Sequence, residues 1–222
     1  MTYILLFASV AIGYVIASLL KTKEMKQMSI YLAFSGAFLL AVTIFELLPE
    51  VFANPSKTIG IYILAGIMLQ ICLEFFSKGA EHGHVHLHSK DKRFPWLLFI
   101  SLSIHAFLEG FPISEENNLL IGVVVHKIPI AIILSFFFLK ANYSKTITIL
   151  FLLFFAMMSP LGNFIANSYP SLEAYHTEIS AVVIGIFLHV STTIIFESSK
   201  DHKFNLAKLT TIIFAFVLAY FL

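Results

Sequence analysis

The sequence predicts an all-α membrane protein, a polytopic bundle of eight transmembrane helices, from three observations. Hydrophobic residues make up 59% of the 222 and charged residues only 12%, with a mean hydropathy of +0.90. A soluble domain of this length needs far more polar surface to cover itself. The apolar residues fall into continuous runs of about twenty, the length that crosses a hydrocarbon core of ~30 Å as a helix. An outer-membrane barrel, with its alternating strands of about ten residues, is excluded on that pattern. The third observation is that the lysines gather in alternate connections, the asymmetry that orients helices across a bilayer.

The first span, 2–20, is followed by Lys21, Lys23 and Lys26. A signal peptide carries its basic residues ahead of the apolar stretch, so an uncleaved span is expected instead. The second span, 29–49, closes on Phe45-Glu46-Leu47-Leu48-Pro49, with Glu50 just beyond it. The third, 58–77, holds Gly60, Ala65 and Gly66, small residues that suit close helix approach, as do Gly162 and Ala166 of the sixth span. It also holds the lone Cys72, which has no partner for an intrachain disulfide. The fourth and fifth spans, 94–113 and 118–139, carry His105 with Glu109 and His126-Lys127-Ile128-Pro129. The sixth is 146–167, the seventh, 178–197, carries His189, and the eighth, 204–222, has Lys208 just inside it. Connections are short except the loop 78–93, which leaves no room for a separate soluble domain, so 1–222 is read as one transmembrane domain.

The connections after spans one, three, five and seven hold Lys21, Lys23, Lys26, Lys78, Lys90, Lys92, Arg93, Lys140, Lys145, Lys200 and Lys203. The opposite side offers only Lys57 among basic residues, with Glu115, Glu116, Glu173 and Glu178. Positive loops face the cytoplasm, which puts both termini outside and the loop 78–93 inside. A compact chain without an ectodomain points to a prokaryotic cell membrane. No nucleic-acid signature is present.

Ionisable side chains at bilayer depth are costly unless paired, hydrated or bound to an ion, so they are functional candidates by default. His105 and Glu109 are four residues apart and share one helical face. Imidazole and carboxylate converging in a membrane is transition-metal chemistry. The competing reading is a histidine and a glutamate bonded to each other or to a neighbouring helix. In span five, Pro129 lacks an amide hydrogen and clashes with the carbonyl of Val125, so a kink is expected beside His126. The freed carbonyl can bind a cation or water, or the proline merely bends the helix for packing. Two readings stand for Lys127: a counter-charge to Glu109, or a side chain turned toward an aqueous cavity. Glu46 and Glu50 are candidates for drawing cations to an entrance, or are ordinary interfacial carboxylates. His189 belongs to a pathway or is hydrogen-bonded to another helix. In the loop, His82, His84, His86 and His88 alternate with small or apolar residues, a tract suited to capturing zinc-like ions, against a solvated linker.

The HxxxEG of His105-Glu109-Gly110 and the HxxP of His126-Pro129 resemble the ZIP family of divalent-metal transporters. The Phe45–Glu50 stretch is similar to the end of that family's second span, Ser159-Pro160-Leu161-Gly162 to its sixth, and Gly185-Ile186-Phe187-Leu188-His189-Val190-Ser191 to its seventh. Eight spans, outside termini and a histidine-rich cytoplasmic loop agree with it. The resemblance implies that His105, Glu109 and His126 bind the metal, that zinc is the foremost cargo, with Fe2+, Mn2+ or Cd2+ as others, and that transport runs into the cytoplasm. It also implies a homodimer, and a metal that is substrate and not cofactor. The chain departs from the family at Ala106 (asparagine is usual), Ile130 (an acid), Lys127 (an acid or asparagine), Ser159 (an acid) and Phe38 (a methionine ligand). Those departures imply one bound ion, with Lys127 in place of a second. Metal binding needs neutral imidazole and ionised carboxylate, so acid is expected to weaken it. Two other classes are a non-transporting metal sensor or scaffold with a degenerate site, and an intramembrane metalloenzyme. The second normally shows HExxH, and His105-Ala106-Phe107-Leu108-Glu109 lacks the adjacent glutamate.

Overall fold

Inside hydrocarbon a helix satisfies every backbone amide and carbonyl within its own segment, so long apolar runs coil and do not pair as strands. The computed structural model describes residues 1–19, 28–53, 56–77, 79, 94–114, 117–141, 143–197 and 206–222, and these are helical almost throughout. We number the helices α1 (Thr2–Leu19), α2 (Met28–Val51), α3 (Lys57–Ser77), α4 (Trp96–Glu109), α5 (Leu119–Lys140), α6 (Lys145–Ser168), α7 (His176–Glu197) and α8 (Leu206–Tyr220). A single turn, Pro170–Glu173, links α6 to α7. Lys21, Lys23, Lys26, Glu115, Glu116 and the histidine tract of the loop lie outside the described residues.

Six of these helices are long and apolar enough to cross a membrane, whereas α4 and α8, at 14 and 15 residues, are shorter. The expected fourth span was longer, 94–113. Proline trims it at both ends: Pro95 stands at the N-cap, and Pro112 disfavours helical backbone in the residue before it, so the helix gives way to turns after Glu109.

The inner elements are α2, α5 and α7, while α1 and α3 leave most of their surface outward. α2 packs on α5, α7 and α8; α1 packs on α5 and α6; α4 lies between α3 and α6. α4 and α5 make little direct contact, and that loose seam is where the ionisable side chains meet. Leu39, Leu134, Phe138, Ile184 and Phe187 fill the core, while Ile61, Leu64, Phe75 and Phe214 face outward as a lipid-facing surface would.

Two glycine pairs let backbones touch. A Cβ on Gly66 of α3 would strike the Val182 carbonyl oxygen of α7, and one on Gly185 would strike that of Ile63. Likewise a Cβ on Gly110 would meet the Ser159 carbonyl oxygen, and one on Gly162 that of Phe107, which presses α6 onto the end of α4. Gly60, by contrast, faces open space.

The prolines are absorbed differently. Pro129 sits inside a continuous α5, and Pro160 inside a continuous α6. In α2, the turn before Pro49 widens to a π-helix over Thr43–Leu47, which relieves the clash a proline makes with the carbonyl four residues back. Glu46 rides on that wide turn.

Gly66→Leu or Gly185→Leu should destabilise the bundle by about 2 kcal/mol or more through overpacking. Gly60→Ala should leave it unchanged or better. Thermal unfolding in detergent checks both, and equal losses at all three positions would contradict the backbone contact.

Candidate functional site

His105, Glu109, His126 and Lys127 are each at most 3% exposed. Helical spacing puts His105 and Glu109 on one face of α4, and α5 brings His126 and Lys127 opposite them. All four line one cavity of about 10 Å3, closed by Leu102, Ile130 and Phe155. That volume is room for about one water. The sequence-expected ligands are thus neighbours around a single void.

Their geometry is that of charges paired with one another inside the protein. Lys127 Nζ lies 2.5 Å from Glu109 Oε1, with both side chains 1% exposed. The ammonium also stands 4.4 Å from the centroid of the Phe155 ring, whose negative face favours a cation. Ser159 Oγ is 2.6 Å from Glu109 Oε1 and 2.6 Å from the Ala106 carbonyl oxygen. Its single proton serves one acceptor at a time, and the carboxylate is the stronger. The other carboxylate oxygen, Oε2, is 3.7 Å from His105 Nε2. The rings of His105 and His126 are 6.2 Å apart between centroids. Among the described residues, no three His, Cys, Asp or Glu side chains stand close enough to hold a metal ion. The ammonium of Lys127 thus lies directly against the Glu109 carboxylate.

Two polar residues that sequence reasoning passed over complete the site. Gln70 of α3 is fully buried, and its Oε1 is 3.0 Å from His105 Nδ1. With the amide oxygen as acceptor, Nδ1 carries the proton and Nε2 keeps its lone pair on the Glu109 side. The signal was present: Gln70 and Glu74 stand four residues apart in a span made almost wholly of apolar residues. One turn further along α3, Glu74 Oε2 is 2.5 Å from His189 Nε2 of α7. His189 is therefore bonded to another helix, and about one fifth exposed.

At the opposite end of the bundle, Asn118 Nδ2 donates to Glu46 Oε1 at 3.2 Å, and Glu50 Oε1 is 3.7 Å from His176 Nδ1. Glu50 and His176 are close to half exposed, so their pairing is weak. His82, His84, His86 and His88 lie outside the described residues. Of the departures from the resembled family, Ile130 lines the cavity with an apolar wall and Ser159 bonds the carboxylate. Phe38 is buried against Phe34, away from the cavity.

A sequence profile described as ZIP Zinc transporter matches residues 77–222, more than half of the chain. Protein zntD of Dictyostelium discoideum is 28% identical over 150 residues, covering 58% of this chain and 22% of that protein. Zinc transporter ZIP1 of Danio rerio is 32% identical over 88 residues, covering 37% of this chain and 29% of that one. The matched segment spans under a third of either relative. The profile takes in α4 to α8, with His105, Glu109 and His126, but not Gln70 or Glu74.

Removing one partner of a buried ion pair strands the other charge, at about 3–5 kcal/mol. Glu109→Gln and Lys127→Met should each lower stability by that order, and the double variant should lose much less than the sum. Thermal unfolding of the four proteins as a double-mutant cycle measures this. Strictly additive losses would show that the two charges do not depend on each other.

Proposed function

The chain belongs to the ZIP zinc transporter family, and from that membership we propose that it carries a divalent transition metal, zinc foremost, into the cytoplasm through the cavity between α4 and α5. The observation that carries the reading is that His105, Glu109 and His126, on two helices, line one small void deep in the bundle. Neutral imidazole nitrogen and carboxylate oxygen are the donors that replace a transition metal's water.

In this reading α4 and α8 complete eight crossings. The 14 residues of α4 rise about 21 Å, and the more extended residues flanking it supply the remainder. The end rich in lysine faces the cytoplasm, with the histidine loop as a collector of delivered metal, and the end bearing Glu46, Glu50, Glu173 and His176 faces outward. All of 1–222 acts as one transport domain.

Lys127 is the counter-charge that holds Glu109 ready in the metal-free protein. An arriving cation takes the carboxylate from the ammonium, and His105 and His126 close on it as the α4–α5 seam adjusts. Having supplied one positive charge already, the site takes a single ion. Membership of a transporter family argues against the metalloenzyme reading. The resident ammonium, and the lack of a ready three-ligand cluster among the described residues, favour one alternative: a non-transporting sensor in which the pair locks the site shut.

Zinc uptake into liposomes containing the purified chain separates these. The wild type should exceed empty vesicles, and Glu109→Ala should cut the rate by at least about tenfold. Lys127→Ala should alter the preference among zinc, iron, manganese and cadmium. Flux no greater than empty vesicles for all four metals would favour the sensor, and unchanged selectivity in Lys127→Ala would end the counter-charge role.

A further inference from the structure

Gln70 of α3 is 0% exposed, and an amide side chain is costly to bury unless it is bonded. It stands outside the wall of the inner cavity, behind the His105 ring. Its Oε1 is 3.0 Å from His105 Nδ1, while the other ring nitrogen, Nε2, faces Glu109.

The stretch of α3 that carries Gln70 is clamped to α7. Gly66, one turn earlier, lets the backbone touch the Val182 carbonyl, and Glu74, one turn later, bonds His189. Residues 66, 70 and 74 are four apart and so lie along one side of the helix. α3 also packs directly on α4, whereas α4 and α5 make little direct contact, so α5 does little to hold the His105 ring. A side chain fixed in this way is an anchor against which an imidazole can be oriented.

Two tautomers compete at His105. With the proton on Nε2, the N–H aims at the Glu109 carboxylate and fills the place from which that nitrogen could bind a cation. With the proton on Nδ1, the N–H donates to the Gln70 oxygen, and Nε2 presents a lone pair beside the carboxylate. A carboxylate draws a proton toward itself, so Glu109 alone favours the first state. The distances favour the second. The Gln70 contact at 3.0 Å is a hydrogen bond, while 3.7 Å from Nε2 to Glu109 Oε2 lies beyond one. Lys127 and Ser159 both engage the other carboxylate oxygen, Oε1.

We propose that Gln70 is a positioning residue, which holds the His105 proton on Nδ1 and turns Nε2 toward the inner cavity as a donor. That Nε2 then receives a metal rests on the transport reading above; the orientation of the ring does not. The experiment uses the full-length chain in nanodiscs, metal-free and in mildly alkaline buffer, with isotope-labelled histidine read by nitrogen NMR. His82, His84, His86 and His88 are changed to alanine to thin the spectrum, and the signal lost in His105→Ala identifies the ring. His105 should carry its proton on Nδ1 in the wild type and in Gln70→Glu, which keeps an acceptor in place. It should shift toward Nε2 in Gln70→Met, which keeps the length without the acceptor. Zinc chloride is then titrated calorimetrically into the same proteins. Gln70→Met should weaken by at least about tenfold the class of bound zinc that Glu109→Ala removes, and Gln70→Glu should restore it. A wild-type ring protonated on Nε2 would overturn the proposal, as would an unchanged tautomer or unchanged zinc affinity in Gln70→Met. The wild-type signal and Gln70→Glu carry the test if Gln70→Met fails to fold, and loss of the Nδ1 proton in Gln70→Glu sinks it. No zinc bound by a wild type with the expected tautomer ends the metal reading and upholds the role of Gln70. Zinc bound by a ring indifferent to Gln70 does the reverse.

Discussion

The buried pair of Glu109 and Lys127 is the constraint around which this bundle is arranged. Neither charge is tolerable alone in an apolar interior, and their attraction repays desolvation only when the remaining donors and acceptors are also engaged. Every neighbouring helix contributes to that. α6 brings the Ser159 hydroxyl and the Phe155 ring, α3 brings Gln70 to the adjacent His105, and α5 sets His126 beside the ammonium. The glycine contact between α4 and α6 serves the same pair. Ser159 bonds the carboxylate because Gly110 and Gly162 allow α6 to lie backbone to backbone against α4.

Much of this was legible beforehand, for a physical reason. Hydrocarbon enforces long uninterrupted helices, and so the runs 58–77, 118–139 and 146–167 fall within a residue of α3, α5 and α6. The four ionisable residues lining the inner cavity were visible too, because such side chains in an apolar span are costly unless paired or bound. α4 is shorter than the expected span 94–113 because two prolines end a helix that hydropathy alone would continue. What lay out of reach were partnerships across distant parts of the chain. Gln70 and His105 are 35 residues apart, and Glu74 and His189 are 115 apart. No local pattern encodes which helix a polar side chain will meet. Nothing around Glu74 in the chain points to α7, which supplies its imidazole partner.

The two ends of the bundle treat acids differently. At the end with Glu46 and Glu50 the partners are a neutral amide and a half-exposed imidazole, so these carboxylates keep most of their field. Midway, Glu109 is fully matched by charge and hydrogen bond. The π turn that carries Glu46 stands just before Pro49, so a widened stretch of backbone displays that acid.

The inner void, at about 10 Å3, is too cramped for an ion with its solvent shell. On the proposed route, a cation seated there comes bare, its hydration surrendered on the way. Magnesium, small and reluctant to dehydrate, is penalised before any nitrogen or oxygen donor has expressed a preference, whereas softer ions that gain from imidazole recover the loss. Selection in such a chamber begins with the cost of undressing the ion.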